Sequence, residues 1–156
     1  MTIEAKLWIL LSFALPITVA DIKKGIIPNR YLIMACGVRS FYYGREFLSI
    51  RPGIPGGIRL IAKDSLAAFI LGAVFFLIAV ASRYQLGMGD VKLFATMGFF
   101  LGLKAAVKAI LYSFIAAFAV AVFLLLCKKK KPRESIPFAP CVFSGTLIYL
   151  LSVILS

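Results

Sequence analysis

Three stretches of this chain run without a single charged residue: Ser65–Ser82, Ala109–Cys127 and Ile136–Ser156, of 18, 19 and 21 residues. A helix crossing ~30 Å of hydrocarbon needs about 20 such residues. Composition leaves no other home for them. The chain is 62% hydrophobic and 15% charged, against roughly half apolar and about a quarter charged in soluble domains. A soluble fold of 156 residues lacks the interior to hide that surface. Three further segments are shorter or carry charge near one end: Ile3–Ala20 with Glu4 and Lys6, Tyr31–Gly44 with Arg39, and Val91–Leu103 with Lys92. Long basic side chains near helix ends snorkel to the interface, so all three count. The reading is an all-α, polytopic integral membrane protein of about six transmembrane helices, one domain over residues 1–156. The first helix is not a cleaved signal, because Lys23 and Lys24 follow the apolar run instead of preceding it.

The net charge is +12. Its basic residues lie in clusters between the apolar runs, where they hold loops on the cytoplasmic side against anionic lipid. The expected partner of that charge is the bilayer, not nucleic acid. Six helices alternate, so the connections after the first, third and fifth share a side. These hold Lys23, Lys24 and Arg30; Arg83 and Lys92; and Lys128–Lys131 with Arg133. That side is expected to be cytoplasmic, in a multi-pass protein of the inner (plasma) membrane with both termini outside. The opposite segment carries Arg45, Arg51, Arg59 and Lys63. Its RPGIPGG centre is expected to interrupt helix and lie along the surface, since Pro and Gly break the hydrogen-bond ladder.

Chemistry has few residues to use. There is no histidine, and Cys36, Cys127 and Cys141 stand far apart with no CxxC. They read as small packing residues, and neither metal nor cofactor is expected. Of six carboxylates, Glu4, Glu46, Asp64 and Glu134 fall in loops or near chain ends beside basic neighbours, where solvated or interfacial pairing accounts for them. Asp21 and Asp90 instead touch apolar spans, and alternation puts both on one side. Each has a plain explanation alone: Asp90 suits a helix N-terminus, and Asp21 suits pairing with Lys23 or Lys24. Ionisable residues at a membrane helix are nonetheless functional candidates. Two adjacent carboxylates share a proton, so one activates water while the other polarises a carbonyl. That is an aspartyl-protease arrangement. Gly87 and Gly89 let a peptide backbone lie close to Asp90. Gly98 and Gly102, four apart, are expected to pack the fourth helix closely on the first. The short charge-free runs Leu7–Ala20 and Leu93–Leu103 place the pair at or slightly below the cytoplasmic interface.

GMGDVKLFATMGFFLG resembles the signature of the type IV prepilin peptidases, membrane aspartyl proteases whose GxGD element is also similar to that of presenilin. In that family a Lys follows the GxGD aspartate two residues on. The resemblance implies Asp90 as one catalytic aspartate, with Lys92 after it. DIKKGIIPNRY resembles the family's other aspartate element, ending in an Ile-Pro-Asn motif, which implies Asp21 with Ile27, Pro28 and Asn29. IPFAP resembles a third family feature, here Pro137, Phe138 and Pro140. The resemblance implies removal of the short basic leader from prepilin, pseudopilin or preflagellin-like precursors, with the active site toward the cytoplasm. Gly87, Gly89, Lys92, Pro28 and Asn29 are the expected supporting residues, although Lys92 also fits a snorkelling lysine and Pro28 an ordinary helix start. Longer members carry a CxxC-containing segment and methylate the new N-terminus. This chain starts directly at its first helix without CxxC, so no N-methyltransferase activity is expected. Two other classes use the same features: a proton-coupled transporter with the carboxylates as relay, and a non-catalytic assembly protein of a pilus or secretion system.

Overall fold

The computed structural model describes residues 2–49, 54–83, 86–126 and 137–155. Six helices follow one another: α1 (Ile3–Lys24), α2 (Asn29–Ser49), α3 (Ile54–Ala81), α4 (Met88–Leu101), α5 (Leu103–Leu126) and α6 (Ala139–Ile154). No strand occurs among the described residues. The segments Ile3–Lys24, Gly57–Ala81 and Leu103–Leu124 are long and apolar enough to cross a membrane, and α6 is a shorter apolar helix. Their outward faces carry large apolar side chains such as Trp8, Phe69, Leu77 and Phe118, as a lipid-facing surface requires.

Local signals fix the helix ends. Thr2 caps α1, its hydroxyl accepting the Ala5 N–H at 3.4 Å. Lys23 and Lys24 occupy the last turn, where cations suit the helix dipole. Gly25 then takes a left-handed conformation (φ 61°), and its N–H donates to the Asp21 carbonyl at 2.7 Å. Glycine enters that region without a Cβ penalty.

The centre of the bundle is α4. Phe94, Met97 and Phe100 are wholly buried, and Phe94 meets Phe75 of α3 and Phe138 beside α6 at centroid distances of 4.1 and 5.7 Å. α4 runs antiparallel to α3: Ala95 lies by Gly72, Gly98 by Ala67 and Gly102 by Asp64. A Cβ on Gly98 would stand 2.9 Å from the Ala67 carbonyl oxygen, so the two backbones touch. This corrects one expectation. Gly98 packs on α3, not α1, because Ala67 and Ala68 offer the matching small surface. Gly102 is not a packing residue of α4. It ends the helix with φ 73°, and α5 starts at the next residue. The chain folds back there, bringing Phe114 of α5 within 5.9 Å of Phe94.

Because α4 has only 14 residues, it spans about 21 Å. A polar cluster fills the space at its C-terminal end. Arg39 is fully buried; its Nη2 donates to Asp64 Oδ2 at 2.8 Å. The Tyr43 hydroxyl donates to the same oxygen at 2.7 Å. Lys6 stands 3.7 Å from it, and Arg39 Nη1 lies 3.6 Å from Glu46. The expectation of solvated or interfacial pairing in loops holds for the pairing with basic residues and fails for the setting. α2 continues to Ser49 and α3 begins at Ile54, so both acids sit on helices, and Asp64 is buried. Arg39 and Lys6, expected to snorkel outward, turn inward to the same acids. RPGIPGG is helical from Ile54 onward. Pro55 falls in the first turn, where no helical N–H bond is lost, and residues 51–53 lie outside the described set.

Candidate active site

The opposite end of the bundle gathers the C-terminus of α1 and the N-termini of α2, α4 and α6. Asp21 lies in the last turn of α1 and is buried. Asp90 is the third residue of α4, after the N-cap Gly87. Its N–H donates to the Gly87 carbonyl at 3.0 Å, and its carboxylate lies beside Gly87. An acid in the first turn suits the helix dipole, which coexists with its place in the pocket.

The glycines before Asp90 have separate tasks. A Cβ on Gly89 would stand 2.9 Å from the Ile27 Cβ. Its absence lets the start of α4 touch the α1–α2 connection that follows Asp21. A Cβ on Gly87 would stand 3.1 Å from Asp90 Oδ2, crowding the carboxylate. The result is an open pocket of about 940 Å³. Asp21, Asp90, Gly87, Gly89, Asn29 and Lys92 all line it, with Ile22, Ile26, Ile27 and Met88 as apolar rim. The two carboxylates thus stand on the walls of one pocket. Lys92 Nζ donates to Asn29 Oδ1 at 3.2 Å, joining α4 to the start of α2. Pro28 does not line the pocket. Its carbonyl accepts the Tyr31 N–H at 3.3 Å, which fits the helix-start explanation. Among the described residues no three His, Cys, Asp or Glu side chains converge.

One contact was not foreseen from the sequence. The backbone N–H of Ala139, first residue of α6, donates to Asp21 Oδ2 at 2.9 Å, and the Thr18 hydroxyl donates to the Ala139 carbonyl at 3.3 Å. Phe138, the N-cap, supplies no side-chain bond, so Asp21 satisfies one of the orphan amides of that helix end. Pro137 and Phe138 also line the pocket. The available signal was Pro140 in the first turn of α6, which marks a helix start lacking a capping side chain of its own.

Residues 8–125, which include Asp21 and Asp90, match the family described as the type IV leader peptidase family. The chain belongs to the type IV leader peptidase family. A prepilin leader peptidase/N-methyltransferase of Bacillus subtilis (strain 168) is 31% identical over 149 residues, covering 92% of this chain and 54% of the relative. The chain thus spans about half the length of the curated relative it matches. No solved structure gives a significant match. With six helices and long apolar spans, this member of the leader peptidase family is embedded in a membrane.

Proposed function

We propose that the protein is an aspartyl endopeptidase that removes the short basic leader of a prepilin-type precursor, with Asp21 and Asp90 as its catalytic pair. The observation that carries this reading is the single open pocket shared by the two carboxylates. A family membership that points to leader peptidases supports it. In this mechanism the two acids share one proton. The ionised carboxylate takes a proton from a water held between them, and the water oxygen attacks the scissile carbonyl carbon. The protonated carboxyl gives its proton to the carbonyl oxygen. Collapse of the tetrahedral intermediate breaks the C–N bond: the proton taken from water passes to the leaving amine, and one hydroxyl of the intermediate returns its proton to the other carboxylate, restoring the shared proton. Ala139 N–H fixes the orientation of Asp21, Gly87 leaves room beside Asp90, and the Lys92–Asn29 bond holds α4 to α2 at the pocket wall.

We place the pocket toward the cytoplasm of the inner membrane, where a basic leader would lie. The pocket end carries Lys23, Lys24, Arg30, Arg83 and Lys92; Lys128–Lys131 and Arg133, expected on the same side, lie outside the described residues. Lys104 and Lys108 in the first turns of α5 add to the opposite end, so the charge bias is narrower than loop counting gives. Charge and family resemblance together favour this orientation.

Co-expression with candidate prepilin precursors tests the reading. Wild-type protein should shift the precursor to its shorter, mature mobility. Asp21→Asn and Asp90→Asn should each abolish the shift while remaining inserted in the membrane. Continued processing by either inserted variant would sink the assignment.

A further inference from the structure

A second cavity of about 570 Å³ lies between the C-terminal half of α5 and the start of α6. It borders the acidic pocket, since Ile22 and Pro137 line both. From that shared rim it runs along the outer face of α5 from Leu124 to Ala116, eight residues or about 12 Å. Its character changes along the way. The pocket end is acidic, whereas the groove is walled by apolar and small side chains with Ser144 as a polar exception. Elsewhere the exposed positions of α5 are large: Ile115, Phe118 and Phe123. Here Ala116 and Ala119 face the groove opposite Ser144, leaving a channel that a helix can approach closely.

We propose that this groove seats the apolar helix of the substrate immediately beyond the cut bond. The inference rests on the peptidase reading above. A peptide lying over Asp21 and Asp90 can leave the pocket across the Ile22–Pro137 rim, and on that path it enters apolar surroundings. A backbone in hydrocarbon must satisfy its own amides, so the entering segment is helical. The occupant is therefore an apolar helix continuous with the cleaved peptide. The acidic pocket takes the polar, basic side of the bond, and the groove takes the apolar side. Recognition would then read two features of one chain at once, the leader and the membrane segment.

The test compares two substrates with wild type, Ala119→Leu and Ser144→Leu. One is a full prepilin-type precursor. The other is a synthetic peptide carrying its leader and cut site but ending just beyond the bond. Filling the groove should slow the full precursor by about tenfold or more and leave the peptide at the wild-type rate. Unchanged cutting of the precursor, or equal slowing of both substrates, overturns the groove assignment. If wild type cuts neither substrate, it is the peptidase reading that fails. A second arm keeps the test decisive should the Leu variants insert poorly: a benzophenone amino acid replaces Ala119 in the Asp21→Asn protein, with Phe118 as the lipid-facing control position. Capture of the precursor from position 119 and not from 118 supports the proposal. Capture of phospholipid alone from 119 refutes it.

Discussion

Replacing Asp64 by Ala should be among the most damaging single changes outside the pocket. Asp64 Oδ2 receives Arg39 Nη2 at 2.8 Å and the Tyr43 hydroxyl at 2.7 Å, with Lys6 at 3.7 Å. Arg39 is fully buried, so the change removes its closest counter-charge without letting water replace it. Removing one partner of a buried ion pair costs about 3–5 kcal/mol. The Tyr43 bond alone, to a charged acceptor, is worth about 1.5–3 kcal/mol. Asp64→Ala should therefore cost about 3–5 kcal/mol and Tyr43→Phe about half that. Arg39→Met should cost less than Asp64→Ala, because Tyr43 and Lys6 still face the acid. The double variant should fall short of the summed costs by about 1–3 kcal/mol. Unfolding in mixed detergent micelles, followed by circular dichroism, measures all four. An Asp64→Ala cost below about 1 kcal/mol, or strictly additive losses in the double variant, would refute the buried-pair account.

Two further changes probe the backbone contacts. Gly98→Ala must push α4 away from the Ala67 carbonyl, which a Cβ would approach to 2.9 Å, and should destabilise by about 1–3 kcal/mol in the same micelle assay; wild-type stability would show that the α3–α4 contact is looser than described. Gly87→Ala places a methyl 3.1 Å from Asp90 Oδ2 at a backbone conformation any residue adopts (φ −63°). Precursor cleavage should drop about tenfold with stability nearly unchanged, and a drop in both together would assign the glycine to folding instead.

The helix inventory was legible because lipid removes ambiguity: long charge-free runs have one stable form there. The ends were less legible. α2 and α3 each extend well past the apolar runs that announced them, through Arg45 and Glu46 and through Arg59, Lys63 and Asp64. Charge marks a loop only when it faces water, and here Asp64 faces Arg39. A pairing between residues 25 positions apart leaves no periodic trace in either helix. The pocket was legible in its two acids, because a chain with six carboxylates and no histidine offers few alternatives. The amide of Ala139 was not, since a backbone N–H has no identity in a sequence. Only the position of the α6 start beside Asp21 gives it a function.

The two polar centres also constrain how the bundle sits in its membrane. From Asp90 to Gly102, which abuts Asp64, the chain advances twelve helical residues, or about 18 Å. The apolar layer through the centre is thus far thinner than ~30 Å of hydrocarbon. The outer helices do not share this limit: α3 has 28 residues and α5 has 24. A bundle thick at its rim and thin at its axis has to let water or headgroups reach inward at one or both ends, since thinning the bilayer around long apolar helices carries its own mismatch cost. The end at Asp64 is filled by paired charges, with Arg39 wholly buried. The upper end is an open pocket of about 940 Å³ bearing two acids. The proposed hydrolysis requires water at Asp21 and Asp90, and the open pocket on their side of the bundle is where this geometry admits it.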